Sequence, residues 1–338
     1  MREAAAGETR NTTAPPNGAS PLLSIITPSH GRAAQVDALM AALAAQRARL
    51  SQGAALVEII LVDDGSAPPL ALRPSLGVEL IRLQAQRGAP AARRAGFRAA
   101  RGAFVHFHDS DDFIPPEWLE RLVAALSAAA PPDLLITARL VRTGGAREPA
   151  LVVPRFAQRA AGAPQRLRHY LRFENAIGPL GGVTFSQRAA QRLSFAPLRS
   201  CQDWHMYWEA LGGPCRVVVD AETRFIFNTG GEDRLSRSYR RKALGMLGFA
   251  RLTAQGAAQR RMMRRYFLGQ ARARHRAGAA WPLRLHARIA RAAALMLARR
   301  PRLCALVFER SARANSASDR EARHASIPSA RAERRRVG

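Results

Sequence analysis

Short apolar runs alternate with helix-like stretches over the first part of the chain. Leu22–Thr27, Leu56–Val62 and Ala103–Phe107 are continuous apolar runs, which is typical of strands buried on both faces. Between them, apolar residues such as Val36 and Leu39 recur at helical spacing. Further strands are predicted at Val78–Leu83 and Leu134–Val141, and further helices at Pro90–Ala100 and from Trp118 onward. This order predicts an α/β fold with a mostly parallel central sheet and helices on both faces.

Composition divides the chain into four segments. Its 338 residues are enough for about two domains. The net charge of +28 is concentrated after residue 240, where arginine is frequent and acids are few. We predict a disordered segment over residues 1–20, an α/β domain over 21–235, a basic helical region over 236–310 and a disordered, arginine-rich tail over 311–338.

Two further features bear on the compartment. No run of 18 or more apolar residues occurs, so an integral membrane protein is not expected, and no apolar leader segment follows the N-terminus. The three cysteines, Cys201, Cys215 and Cys304, are odd in number and widely spaced. They fit neither a disulfide framework nor a zinc site, which indicates a reducing compartment.

Polar residues follow three of the predicted strands. Pro28-Ser29-His30, Asp63-Asp64 and the run from Asp109 to Asp112 each begin close to a strand end. Because ligands of open α/β sheets bind at the carboxyl ends of the strands, this edge is the predicted site. Adjacent Asp111 and Asp112 repel each other, and a divalent cation such as Mg²⁺ would compensate that charge. The alternative is a solvated acidic turn before the Trp118 helix.

The remaining motifs each have a structural and a functional interpretation. Asp64 lies either in a simple turn or beside a nucleotide base or ribose. Arg93 and Arg94 lie either on an exposed helix face or against a diphosphate. Asp203 either stabilises the N-terminus of an amphipathic core helix or acts as a general base beside the aromatic residues that follow it.

In combination, the motifs resemble those of the family 2 glycosyltransferases. The motifs LLSIITPSHGR, VEIILVDDGS, GAPAARRAGFRAARG, FVHFHDSDDFIPP and CQDWHMYWEAL occur in the family's order and spacing, and the resemblance covers roughly residues 20–235. Members are inverting enzymes of the GT-A fold that use nucleotide-diphosphate sugars. The resemblance therefore implies a GT-A, Rossmann-like catalytic domain over residues 21–235.

The resemblance also implies roles for single residues. Pro28 and His30 match the loop that contacts the nucleotide base, and Asp64 matches the carboxylate that hydrogen-bonds it. Arg93 matches the arginine of the donor site. Asp111 matches a donor-binding position, Asp112 the metal-binding position and Asp203 the catalytic base. Arg234 lies in a late loop where the family often has a basic residue near the diphosphate. His30, Arg94 and Gln202 depart from the residues that are usual in the family.

These roles predict a reaction and its partners. Asp203 would deprotonate a hydroxyl acceptor, while Mg²⁺ or Mn²⁺ at Asp112 neutralises the leaving diphosphate. The expected donor is a UDP-sugar, and the expected acceptor is a glycan or a lipid-linked glycan in bacterial surface polysaccharide or glycoconjugate synthesis. The expected location is the cytoplasm, peripherally at the inner face of the membrane.

The basic C-terminal region leaves alternatives open. Its helices either pack on the catalytic domain with solvated arginines or lie on an anionic membrane surface. A nucleotide-sugar-binding protein without turnover is an alternative to the enzyme. Basic patches also bind nucleic acid, but no recognition motif accompanies the charge, so no nucleic-acid partner is expected.

Overall fold

The computed structural model describes residues 8–11, 20–142, 148–229 and 239–266, apart from 258 and 262. Up to Met263 these residues form one compact unit. Strands are numbered β1 to β9 and helices α1 to α9, in chain order. The strands are Glu8–Asn11, Leu23–Ser29, Val57–Asp63, Glu79–Leu83, Phe104–Phe107, Leu134–Arg142, Ala150–Val152, Val183–Ser186 and Val217–Asn228. The helices are Ala33–Arg49, Gly53–Leu56, Ala89–Ala99, Trp118–Leu126, Arg155–Ala160, Pro164–Tyr170, Gln187–Ala190, Gln202–Ala210 and Tyr239–Thr253.

The nine described strands form one sheet in the order β1-β4-β3-β2-β5-β8-β6-β7, with β9 on the other side of β6. The part formed by β4, β3, β2 and β5 is parallel. Antiparallel β8 follows β5, and β6 then pairs antiparallel with β8 and β7 but parallel with β9. The predicted α/β fold is confirmed, with the parallel strands gathered in the first half of the sheet.

Helices cover both faces of the parallel strands. On one face Leu23, Ile25 and Ile59 pack in a core with apolar residues of α1 and α4. On the other face α3 approaches the sheet closely at Gly96, where a Cβ atom would lie 2.4 Å from Cγ2 of Ile26. The sheet strands are buried on both sides for this reason, which explains why their sequences are continuous apolar runs.

The structure corrects two predictions made from the sequence, one for residues 1–20 and one for Pro28. Within the segment predicted to be disordered, residues 1–20, the structure describes Glu8–Asn11 as strand β1, which pairs antiparallel with β4 and covers its open edge. Strand β2 continues through Pro28 to Ser29, so Pro28 lies in the strand and not in the loop after it. The ladder with β5 ends at Ile26, and beyond it β2 pairs with β3 alone, which leaves room for a proline without an N–H donor.

Most of the predicted basic region, 236–310, and the whole predicted tail, 311–338, lie outside the described residues. The described part begins with α9, whose Phe249 ring stacks on Trp204 of α8 at a centroid distance of 4.7 Å. Packing on the α/β domain is therefore observed for this helix. No described helix combines the length and the apolar character needed to cross a bilayer.

Candidate active site

The ends of β2 and β3 meet beside the loop that follows β5. Ser29 pairs with Asp63 at the last position of the parallel ladder, and the Asp64 N–H donates to the Ser29 carbonyl at 2.8 Å. The hydroxyl of Ser29 donates to that of Ser110 at 3.3 Å. The three polar segments predicted to converge therefore do so at one edge of the sheet.

The adjacent carboxylates Asp63 and Asp64 have different environments. Asp63 is fully buried and accepts hydrogen bonds from the N–H groups of Ser66 and Leu70, with Arg82 at 3.2 Å. Its contacts hold the loop after β3, which is a structural function.

Asp64 faces the start of α3. One of its oxygens accepts the N–H of Arg87 and the other the N–H of Gly88, each at 2.7 Å. A carboxylate has about four lone-pair sites, so Asp64 keeps acceptor capacity beyond these two bonds. It thus fixes the loop before α3 at the site and can accept a further donor.

His30 and Arg32 follow β2, where His30 contacts Asp64 and Arg32 contacts Asp111. The exposed His30 ring is held through Nδ1, which lies 2.8 Å from the Asp64 carbonyl oxygen, so one ring face can receive a planar ligand. Arg32 has a left-handed backbone (φ 60°) and its guanidinium lies 3.2 Å from the carboxylate of Asp111. Sequence reasoning missed this ion pair, since no local pattern links the two residues.

The acidic loop after β5 is not a simple solvated turn. Asp109 pairs with Arg93 at 2.6 Å, and Asp111 pairs with Arg32. Asp112 is only 2% exposed, and one of its oxygens accepts the Asn228 N–H at 3.2 Å. Arginines and a backbone N–H therefore offset part of the repulsion among the three carboxylates.

Arg93 joins α3, this acidic loop and the start of α8. It is 6% exposed, and besides its bond to Asp109 it donates to the side-chain carbonyl of Gln202 at 2.8 Å. Gln202 directly precedes Asp203, so the arginine brings the carboxylate of α8 to the same edge as the acidic loop. Two donors on one planar guanidinium fix this geometry.

Asp203 lies in the first turn of α8 and is half-buried. One of its oxygens accepts a hydrogen bond from the side-chain amide of Asn175 at 3.1 Å. Tyr207, one turn further, is fully buried and donates to the Gly178 carbonyl at 3.2 Å. Burial raises the pKa of Tyr207 well above its ordinary value, and the charges of Asp203 and Asp109 raise it further. The phenol is thus a fixed hydrogen-bond donor.

A pair of histidines lies below the acidic loop, in the core. His106 stacks near His108, with Trp118 against both rings. Burial lowers the pKa of His108 to about 4, although Asp109 and the Asp112 backbone act in the opposite direction. Burial, aided by His108, lowers the pKa of His106 well below its ordinary value. Both rings are neutral at physiological pH and serve as packing groups.

The donor set fits a cation only in part. Carboxylate oxygens suit Mg²⁺ or Mn²⁺, and Mg²⁺ commonly takes one or two carboxylates together with waters and substrate phosphates. Across the part of the chain that the structure describes, no three His, Cys, Asp or Glu side chains are grouped to hold a metal ion. A cation at Asp112 would therefore need oxygen ligands from a bound diphosphate.

The structure brings together seven of the eight predicted site residues, and one lies outside the described residues. His30, Asp64, Arg93, Asp111, Asp112 and Asp203 lie along the connected edge, with Pro28 buried in β2 just before it. Arg234 lies in 230–238, which the structure does not describe. Sequence reasoning missed Arg32 and Asn175. Tyr207, expected among the aromatic residues beside Asp203, is fully buried and so belongs to the core and not to an exposed aromatic platform. For Asn175 a signal existed, because Asn-x-x-Gly is a turn pattern in which the asparagine side chain bonds nearby backbone.

The part of the chain that carries most of these site residues also matches a known protein family. The family described as "Glycosyl transferase family 2" matches residues 24–191, which include every predicted site residue up to Asp112. "Succinoglycan biosynthesis protein ExoO" of Rhizobium meliloti (strain 1021) is 30% identical over 234 residues, which are 65% of this chain and 63% of that protein. The chain therefore spans less than two thirds of that relative's length.

Two further similarities are weaker. "Undecaprenyl-phosphate 4-deoxy-4-formamido-L-arabinose transferase" of Aeromonas hydrophila is 35% identical over 111 residues, covering 31% of this chain and 33% of that protein. The crystal structure of S. aureus TarS 1–349 in complex with UDP-GlcNAc is 17% identical, with a TM-score of 0.47. This match covers 73% of this chain and 71% of the TarS chain.

The fold and site define an α/β protein whose acidic and basic side chains meet at the carboxyl ends of parallel strands. Together with the family match, this shows that the chain belongs to glycosyltransferase family 2. The GT-A fold expected from the sequence agrees with the sheet described above.

Proposed function

We propose that the protein is a metal-dependent, inverting glycosyltransferase that moves a sugar from a UDP-sugar to a hydroxyl acceptor. The observation that carries this proposal is the double hydrogen bond of Arg93 to Asp109 and Gln202. It brings Asp203, the only acidic residue in the first turn of the described α8, to the edge that carries the acidic loop. An acid at that place is suited to take a proton from an acceptor hydroxyl.

The nucleotide end of the donor would bind beside β2 and β3. His30 presents an exposed ring for stacking on the base, and Asp64 offers carboxylate acceptor capacity for the N–H of a uracil. Pro28 would support the base from within β2, and Asp111, which is paired with Arg32, would accept a hydrogen bond from a ribose hydroxyl. Arg234 remains a predicted contact to the diphosphate.

The diphosphate would lie between Arg93 and Asp112. The guanidinium of Arg93 is held rigidly, so it offers fixed positive charge to the leaving group at no cost of reorganisation. Mg²⁺ or Mn²⁺ bound by Asp112 together with the diphosphate would act as a Lewis acid on the leaving group. Asp203 holds the acceptor hydroxyl and removes its proton as the oxygen bonds to the anomeric carbon from the face opposite the leaving group. A single displacement of this kind inverts the anomeric configuration.

The acceptor class and the pathway rest on the relatives. One relative is named as a succinoglycan biosynthesis protein and another as an undecaprenyl-phosphate 4-deoxy-4-formamido-L-arabinose transferase. We therefore propose a glycan or lipid-linked acceptor in bacterial surface polysaccharide or glycoconjugate synthesis, with the protein at the cytoplasmic face of the membrane. An anionic membrane surface would attract the basic residues after 240.

The test is a panel of nucleotide sugars incubated with the full chain and Mn²⁺, or with a chelator, with hydrolysis and transfer as readouts. Release of UDP with Mn²⁺ and not with chelator is expected. Asp203→Asn should abolish turnover and leave donor binding nearly intact, whereas Asp37→Asn, an exposed aspartate of α1, should change neither. A fully active Asp203→Asn variant would refute the base assignment.

Donor binding without release of UDP from any sugar would instead identify a binding protein without turnover. Salt-sensitive binding to oligonucleotides, absent for anionic vesicles, would favour a nucleic-acid partner.

A further inference from the structure

We propose that Asn175 is a positioning residue that holds Asp203 in its reactive orientation; this inference rests on the proposed role of Asp203 as the base. The side-chain amide nitrogen of Asn175 donates to Oδ2 of Asp203 at 3.1 Å. This bond fixes the position of one oxygen of the Asp203 carboxylate, and with it the orientation of the whole group. Neither residue is close to the other in the sequence, and the contact exists only in the folded chain.

Asn175 is itself held by the loop it begins. Its side-chain oxygen accepts the N–H groups of Ile177 and Gly178 at 3.1 and 3.0 Å, and its amide nitrogen also donates to the Gly178 carbonyl at 2.9 Å. These hydrogen bonds fix the orientation of the side-chain amide. They also identify its oxygen and nitrogen atoms, because the backbone N–H groups require an oxygen acceptor. The donor that reaches Asp203 therefore cannot rotate away without breaking the loop.

The loop is in turn anchored to two elements of the domain. The Tyr207 hydroxyl donates to the Gly178 carbonyl, and Arg139 of β6 donates to the Ile177 carbonyl at 3.4 Å. Gly178 has a φ of +118°, and a Cβ atom there would lie 2.4 Å from the Arg139 guanidinium. The positive φ therefore requires glycine at this turn, whereas the tip of the arginine side chain is flexible.

Asp203 lies among both signs of charge. Tyr207 of its own helix feels the negative charges of Asp203 and Asp109 and the positive charges of Arg93 from α3 and Arg139 from β6. Gln202 lies beside it on Arg93. In this setting the Asn175 amide is a neutral donor to Asp203 and adds no further charge to the site.

The sharpest test is Asn175→Asp, which keeps an oxygen acceptor for the Ile177 and Gly178 N–H groups and replaces the donor to Asp203 with a second carboxylate. Two carboxylates in contact share a proton to higher pH. The acid limb of the pH profile of kcat should move upward by about one pH unit or more, and kcat at neutral pH should fall about 10- to 100-fold with little change in donor KM. The matched control is Gln165→Glu, the same amide-to-acid change on an exposed residue of α6, which should leave the profile in place.

Two companion variants separate the possible failures. Asn175→Ala, checked for folding by circular dichroism, should lower kcat more than it raises the donor KM. An Asn175→Asp variant with a wild-type pH profile would overturn the proposal. A folded Asn175→Ala variant with wild-type kcat would overturn it as well. If Asn175→Asp does not fold, the Asn175→Ala result decides. If Asp203→Asn is inactive while Asn175 variants are normal, only this inference fails; if Asp203→Asn is active, the base assignment itself fails.

Discussion

Arg93 of α3 forms an ion pair with Asp109 of the acidic loop, with the guanidinium nitrogen 2.6 Å from the carboxylate oxygen. The second terminal nitrogen of Arg93 reaches Gln202, which lies 109 residues further along the chain. One side chain therefore sets the relative placement of the proposed diphosphate subsite and the proposed base.

This geometry predicts that Arg93→Lys is strongly impaired. A lysine keeps the charge but cannot donate in a fixed fork to two partners, so Asp109 and Gln202 lose their common anchor. We expect kcat/KM to fall about 100-fold, equivalent to about 2.7 kcal/mol of transition-state stabilisation. Steady-state kinetics with the best donor would measure this change in kcat/KM. Arg94→Lys, the same change at an exposed position of the same helix, is the control, and equal effects of the two substitutions would contradict the prediction.

A second prediction concerns Asp64. Asp64→Asn leaves only one oxygen for the two backbone N–H donors of Arg87 and Gly88, so the loop before α3 loses a hydrogen bond and the base loses an acceptor. Donor affinity should drop about tenfold, a loss typical of one charge-assisted hydrogen bond. Calorimetric titration with UDP measures this Kd. Asp220→Asn, in which the carboxylate caps a turn within β9, should bind UDP normally. Unchanged UDP affinity in the Asp64 variant would show that Asp64 only shapes the loop.

The sequence predicted the parallel part of the sheet well because its strands are buried on both faces and bounded by turn residues. It did not reveal that β8 lies between β5 and β6, since antiparallel pairing between Phe104 and Ser186 depends on distant segments and leaves no local pattern. The carboxylates at the strand ends were also predictable, because they directly follow these apolar runs in the sequence. Their partners were not, because contacts such as Arg32 with Asp111 and Asn175 with Asp203 follow from the folded topology alone.

The sparse donor set at Asp112 predicts how the cation should bind. Because the described residues lack a group of three metal-ligating side chains, Mn²⁺ alone should bind weakly, and UDP should supply the missing oxygen ligands. Calorimetry with Mn²⁺ in the absence and presence of UDP should show at least about tenfold tighter binding with the nucleotide. Asp112→Asn should remove this coupling, while Asp37→Asn should preserve it. Tight Mn²⁺ binding without UDP would contradict the prediction.

The buried histidine pair predicts how stability depends on pH. In the unfolded chain both histidines have a pKa of about 6.5. In the folded protein burial lowers the pKa of His108 to about 4 and that of His106 well below its ordinary value. As the pH falls below about 6.5, the unfolded chain takes up protons that the folded protein does not, so stability decreases by about 1.4 kcal/mol per pH unit for each histidine. The contribution of His108 levels off below its folded pKa.

Urea unfolding at several pH values from about 7.5 to about 5 measures this slope. His108→Phe cannot take up a proton and can pack among the neighbouring Trp118 and Phe225 rings, so it should roughly halve the slope. His169→Phe, on α6, replaces a histidine whose ring is hydrogen-bonded at the surface and should leave most of the slope in place. A slope that His108→Phe does not reduce would mean that other groups, such as the site carboxylates, govern stability in this range. The core beneath the acidic loop would then not be the source of the acid sensitivity.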